Sequence, residues 1–230
     1  MHSAAKLSAI LPALDAAASL PATLAALDEG RAAGLLHEIL LADGGSRDAT
    51  RDIAAANGVR LLTAPRGRGT QLAAGAAMAT GEWLLFLHAD TRLAPGWSRC
   101  VARYLAEPDS AARAGYFRLA LDDAGPAARR LERIVALRCR WLGLPYGDQG
   151  LLIARALYDA VGGFRSLPLM EDVDLVRRLG RRRLVALDAV ATTSAVRYRS
   201  GYARRMLRNL GCLTLYYLGV PPHLIARLYA

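Results

Sequence analysis

Acidic side chains recur in this 230-residue chain at the ends of short apolar runs. Asp15 follows Leu7–Leu11, Asp43 opens "DGGS" after Glu38–Ala42, and "LLFLHADT" leads from Leu84–Leu87 into His88, Asp90 and Thr91. Further on, Asp148 lies in "GDQ", and Glu171 and Asp172 head a helical pattern. Each has an ordinary explanation taken singly. "DGGS" can be a tight turn, Glu171 and Asp172 can favour the positive end of a helix dipole, and Asp90 with Thr91 can turn the chain toward the helix after Pro95. A lone His at a strand end can be a hydrogen-bonded structural residue. What these explanations leave out is the set, because parallel strands bring their carboxyl ends to one edge of a sheet, where open α/β folds bind ligands. Carboxylates gathered there in a basic chain suit an anionic ligand held through a divalent cation. Mg and Mn take oxygen donors and diphosphates bring oxygens of their own, while the His88 imidazole suits Mn better than Mg or serves as a hydrogen-bonding neighbour.

The elements that would position these groups follow from the apolar pattern. Leu7–Leu11, Glu38–Ala42, Val59–Thr63 and Trp83–Leu87 read as strands, separated by Ala-rich helical segments near 19–33, 48–57 and 69–79. Such alternation predicts a parallel sheet with crossover helices. Gly58 and Gly81 stand at helix ends where a left-handed residue is wanted. After Pro95 the spacing predicts a helix near 97–106, a strand at Gly115–Leu121, a helix near 126–142 and a loop "LPYGDQGLLIAR" that feeds a further strand. Val173, Val176 and Leu179 share one helical face, with Gly180 as a stop, and Leu184–Leu187 reads as a strand. From Gly201 an amphipathic helix is expected until "GVPPH" breaks it, with a short helix after that. No internal repeat or low-complexity linker is visible.

Composition narrows the function. With 53% hydrophobic residues the chain has ample core for a folded domain, and the formal charge of +10 favours anionic partners. All but one of the 30 basic residues are Arg, spread through an Ala-rich chain and densest at 177–183 and 197–208. They lack the aromatic interleaving of a nucleic-acid platform, so no nucleic-acid partner is expected. Cys100, Cys139 and Cys212 are too far apart for a zinc site or a disulfide framework, which points to a reducing cytoplasm. No run reaches the roughly 18 apolar residues of a membrane span. Residues 200–219 join Arg204, Arg205 and Arg208 to Tyr202, Met206, Leu210, Leu213, Tyr216 and Tyr217, a mixture fit either to lie on an anionic membrane surface or to pack on the rest of the chain or on a second subunit.

The segments "LSAILPALD", "ILLADGGSRDAT", "APRGRGTQLAAGAAMATGEWLLFLHADT", "YGDQGLLIAR", "GGFRSLPLMEDVDLVRRL" and "ATTSAVRYRSG", in this order, resemble the family 2 glycosyltransferases of GT-A fold. Within them the chain looks most like the small bacterial group of arsenosugar-biosynthesis glycosyltransferases. The resemblance implies an α/β, Rossmann-like, mostly parallel central sheet flanked by helices, with a helical C-terminal arm. It divides the chain into a catalytic domain at 1–199, with a nucleotide-binding half at 1–95 and an acceptor-side half at 96–199, and an amphipathic arm at 200–230. It also implies Mn or Mg as cofactor. Asp43 becomes the partner of the donor's nucleobase, with Arg66, Arg68 and Gln71 bordering the nucleotide. Asp90, with His88, stands in the D-x-D position that presents the metal to the diphosphate. Asp172 matches the general base, with Glu171 beside it, and Asp148 and Gln149 face the acceptor or the transferred sugar. Arg197 remains for the diphosphate. Asp15-Ala16 replaces the usual Asn-Glu of the nucleotide loop, and His88 replaces the first Asp of D-x-D.

The expected activity is transfer of a sugar from a nucleotide diphosphate sugar, of the UDP type, to an acceptor hydroxyl. One base and no covalent nucleophile make direct displacement with inversion the economical mechanism. The acceptor is a small molecule or a lipid-linked one, and the protein is cytoplasmic, with peripheral membrane contact and a homodimer both open. The alternative is a non-catalytic protein on the same scaffold that binds anionic ligands or membrane surfaces.

Overall fold

The computed structural model describes residues 6–198 and 201–229. One sheet is built from β1 (Leu7–Ala13), β2 (Leu36–Asp43), β3 (Arg60–Thr63), β4 (Trp83–Phe86), β5 (Thr91–Leu93), β6 (Ala114–Leu121), β7 (Leu151–Ala154) and β8 (Leu184–Thr193). Its spatial order is β3-β2-β1-β4-β7-β6-β8-β5. The helices are α1 (Leu20–Ala32), α2 (Thr50–Ala56), α3 (Arg68–Met78), α4 (Trp97–Leu105), α5 (Pro126–Leu142), α6 (Arg155–Ala160), α7 (Glu171–Leu179), α8 (Tyr202–Tyr217) and α9 (Pro222–Tyr229).

β1 and β4 are buried along their whole lengths, as parallel strands covered on both faces must be. β1, β2, β3 and β4 run parallel, so the chain leaves β1, β2 and β4 at the same edge. Beyond β4 the sheet is mixed. β7 lies antiparallel between β4 and β6, β6 runs parallel to β8, and β5 closes the edge antiparallel to β8. Pro12, which cannot donate to a ladder, sits past Ile10, the last β1 residue paired with β4. Leu7, Ile10, Leu11, Leu40, Leu41 and Leu84 are fully buried at the centre of the main core.

Two glycines expected to be left-handed behave differently. Gly58 does end α2 at φ +62. Gly81 is not left-handed; it is needed because a Cβ there would lie 2.6 Å from the Lys6 carbonyl oxygen and from Ser8 Oγ. The strand expected at Leu184–Leu187 runs on to Thr193 with alternate residues buried, including Leu187, Ala189, Ala191 and Thr193. Asp188 interrupts the apolar run without interrupting the strand, since its side chain points outward to Arg118 at 3.1 Å. β5 and α6 carry too few residues to show a period in the sequence.

The arm has two faces. Leu213 is buried against Leu144, Val173 and Val176, and Tyr216 donates to Asp174 at 3.3 Å. Nearer its start, Tyr202 and Met206 pack on Leu131, Val135 and Cys139 of α5, and Tyr202 stacks on Tyr198 with ring centres 5.0 Å apart.

Candidate active site

The loops after β1 and β2 brace each other. The Asp15 amide donates to Ser46 Oγ, the Arg47 amide to Asp15 Oδ1, the Ala17 amide to Asp48 Oδ2 and the Ala16 amide to Thr50 Oγ1, all at 2.8–2.9 Å. Asp15 takes φ +49, a left-handed conformation that a short polar side chain tolerates. Asp48 and Thr50 thus explain the later part of "DGGSRDAT" as struts that hold the first loop in place.

These loops border one of two compartments that meet at a seam. The first is an open cleft lined by Pro12–Ala16, Arg66, Gly67 and Gln71. The second is lined by Tyr146, Asp148, Asp172, Tyr198, Arg205 and Asn209. Arg68, His88 and Asp90 line both. His88 Nδ1 lies 4.0 Å from Asp90 Oδ1, so one imidazole and one carboxylate converge where the compartments join. Among the described residues no group of three His, Cys, Asp or Glu side chains could hold a metal ion. A cation at the seam therefore needs oxygens from its ligand to complete its shell.

Asp172 reaches the same space from the first turn of α7. Its Oδ2 accepts the Gly147 amide at 2.8 Å and its Oδ1 the Val173 amide at 2.8 Å, which fixes the carboxylate's orientation. Gly147 opens a 3-10 turn, Gly147–Gln149, that lies against His88. A Cβ at Gly147 would lie 2.7 Å from His88 Nε2 and 3.5 Å from Asp172 Oδ2, so glycine lets this turn pass close to the seam histidine. Met170, the residue before α7, is held at φ +66, a strained conformation for a residue with a Cβ.

Glu171, 2% exposed, pairs through Oε1 with Arg68 Nε at 2.8 Å, and its Oε2 has no hydrogen-bond partner among the described residues. Burial, with the Asp172 carboxylate next to it, pushes its pKa up to about 7 against the pull of Arg68. Burial likewise raises Asp148, with Arg138 opposing and Asp172 adding to the rise. The "RGRG" motif serves this pairing. Gly67 starts α3 at φ +142, and a Cβ on Gly69 would lie 2.2 Å from the Arg165 carbonyl oxygen and 3.1 Å from Glu171 Cβ.

His88, Asp90, Asp148 and Asp172, all singled out in the sequence, share one compartment, and Asp15 and Arg66 border the other. Three expected contact residues also hydrogen-bond the protein itself, and one of them, Gln71, lines the first compartment. Asp43 is fully buried and takes the Ser46 amide at 3.1 Å, so it does not present its carboxylate to the cleft. Gln71 donates to the carbonyls of Ala13 and Ala42, both at 2.7 Å, and ties the ends of β1 and β2 together. Gln149, 2% exposed, donates to the Phe117 carbonyl and accepts from Arg138, so it does not face the cleft. The side chain of Arg197 lies outside the described residues. Gly147, Tyr146 and Asn209 line the site without having been singled out, and Arg205, read in the sequence only as part of the basic arm, lines it too. Only "YGDQG" as a motif pointed near the first two, and no sequence signal marked the arm's inward face.

The model of glycosyl transferase family 2 matches residues 8–168, and the chain belongs to that family. Comparison with curated protein sequences found no match. The fold is of the GT-A type and resembles glucosyl-3-phosphoglycerate synthase from Mycobacterium tuberculosis, solved with Mn2+, UDP and glucosyl-3-phosphoglycerate. That similarity has TM-score 0.59 and 19% identity over 94% of this chain and 81% of the other. The same protein with Mn2+ and UDP-glucose matches at TM-score 0.61 and 18% identity, over 94% and 80%. TarS of S. aureus with UDP matches at TM-score 0.62 and 18% identity, over 83% of this chain and 61% of that one.

Proposed function

We propose that the chain transfers a sugar, with inversion, from a UDP-sugar to an acceptor hydroxyl, with Asp172 as general base. The observation that carries this reading is the seam: the compartment bordered by the β1 loop and the one holding Asp172 share Arg68, His88 and Asp90. The solved relatives crystallised with UDP-glucose and phosphoglycerate support a nucleotide-sugar donor and a separate acceptor, which we assign to the first and the second compartment. The acceptor oxygen, losing its proton to Asp172, attacks the anomeric carbon while the bond from that carbon to the diphosphate oxygen breaks. The diphosphate leaves with the bonding pair. The Gly147 amide holds Asp172 in the attitude this requires, and Arg68 offers positive charge from the seam. Glu171 acts through Arg68 as its positioning partner.

His88 and Asp90 fit a divalent cation by donor chemistry, an imidazole and a carboxylate 4.0 Å apart with donor phosphate oxygens to add. A Mn or Mg ion bound there supplies charge neutralisation to the leaving diphosphate. The arsenosugar-biosynthesis group is the subgroup we assign, on the motifs alone, and the acceptor is a small or lipid-linked hydroxyl compound.

The test separates binding from chemistry. UDP-sugars with Mn should raise the melting temperature of the wild type. Asp90→Asn should lose most of the Mn-dependent part. Asp172→Asn should keep donor binding and lower sugar transfer by roughly 10²–10⁴-fold, the usual scale of a lost general base. Donor binding with no transfer in the wild type, over a panel of acceptors, would instead favour a non-catalytic ligand-binding protein. Near-normal turnover in Asp172→Asn refutes the assignment of the base.

A further inference from the structure

Exposed apolar side chains are distributed very unevenly over this molecule. Among the described residues, the large exposed hydrophobics are Met78 and eleven others that all lie between Ile134 and Leu228. Ten of those eleven are on α5, α8 and α9 or the residue that ends α8. On α5 the exposed Ile134, Leu137 and Trp141 form one stripe, joined by Leu142 at the helix end, while the stripe of Leu131, Val135 and Cys139 on the other side is buried. On α8 they fall at Leu207 and Leu210, with Leu218 just beyond, again opposite a packed face. The two helices are neighbours, since Tyr202 and Met206 pack on α5. Trp141, Leu207 and Leu218 are 63%, 65% and 75% exposed, so nothing in the described chain covers these stripes.

Charge says what kind of surface would. α5, α8 and α9 together carry nine Arg and one acidic residue, Glu132, and that one is paired with Arg129 at 3.0 Å. Arg130, Arg133, Arg140, Arg204, Arg208 and Arg227 are all exposed. A second copy of the chain docked face to face would set this positive surface against itself, which like-charge repulsion disfavours. No helix among the described residues is long and apolar enough to cross a membrane. Apolar stripes flanked by Arg, with a Trp at a helix end, are instead what a helix lying in an anionic headgroup layer requires.

We infer that the outer face of α5, α8 and α9 docks the protein on an anionic lipid bilayer. The inference does not depend on the transferase reading. It concerns the face of α8 opposite the one whose Arg205 and Asn209 line the cleft.

Trp141 provides the probe, because Trp83 and Trp97 are buried and the chain has three Trp. Vesicles of phosphatidylcholine with phosphatidylglycerol should shift Trp emission to the blue and carry the protein upward in flotation at about 0.1 M salt. Pure phosphatidylcholine should do neither. Arg133→Gln with Arg204→Gln should weaken binding by about 25-fold, roughly fivefold for each charge near the surface. Leu207→Glu with Leu210→Glu should abolish the blue shift, while the melting temperature and circular dichroism stay at the wild-type level and report an intact fold. Protein left at the bottom with anionic vesicles overturns the inference, as does equal binding to neutral vesicles or undiminished binding by both double variants. A dimer in sedimentation velocity that the Leu207→Glu, Leu210→Glu variant dissolves would overturn it in favour of self-association.

Discussion

Replacing Gly147 by Ala should injure catalysis more than it injures binding of the nucleotide. Its φ is not left-handed, so the backbone accepts Ala and the whole effect is steric. The added Cβ would lie 2.7 Å from His88 Nε2, and relaxing to an ordinary contact of about 3.5 Å parts the imidazole from the Gly147 backbone by roughly 0.8 Å. The Gly147 amide donates to Asp172 Oδ2 at 2.8 Å, and a displacement of that size carries it to the limit of a hydrogen bond. A hydrogen bond to a charged acceptor is worth about 1.5–3 kcal/mol. A base misplaced by about 1 Å costs on the order of 10²-fold in rate. We expect kcat to fall by about 10²-fold, because both effects act on the same carboxylate and do not add. UDP affinity without Mn should change little, since Gly147 does not line the compartment beside the β1 loop, whereas any Mn-dependent part reports the shift of His88, which does. The assay is UDP release under saturating donor and acceptor, with calorimetric UDP binding and a thermal melt as controls. A folded Gly147→Ala protein with kcat within a factor of about three of wild type, under 1 kcal/mol of barrier, refutes the positioning role.

Two further outcomes follow from the same side chains. Glu171, with its pKa raised from 4.5 to about 7, binds more protons folded than unfolded between those values, so stability should fall as pH rises through that window. The loss is on the order of 3 kcal/mol, and Glu171→Gln should flatten the slope in urea titrations run from pH 4.5 to 7.5. Gly69→Ala should destabilise by about 1–3 kcal/mol, because its Cβ would meet the Arg165 carbonyl oxygen at 2.2 Å. An unconstrained helical glycine would instead gain up to about 1 kcal/mol on the same change, so the sign of the shift in a chemical melt decides.

The sequence alone determined the parts whose energetics are local. Continuous apolar runs gave β1, β2 and β4 to within two residues, because a strand buried on both faces must be apolar throughout. The 3.6-residue spacing of Val173, Val176 and Leu179 gave α7 and its buried side. Since β1, β2 and β4 turned out parallel, the polar residues that follow them had to meet at one edge, and this made the cluster legible. Tertiary structure decided whatever depends on a partner distant in the chain. That β7 enters antiparallel between β4 and β6 is a choice among strand neighbours that no single strand encodes. Gly81 and Gly147 are glycines for the sake of Ser8 and His88, not of their own dihedral angles. Asp43, Gln71 and Gln149 have the right types and places for ligand contacts, and the fold also uses them to hydrogen-bond the protein itself. A polar side chain at a loop root can point into the fold or out of it, and the choice rests on which carbonyls and amides the fold leaves in need of partners once the strands have packed.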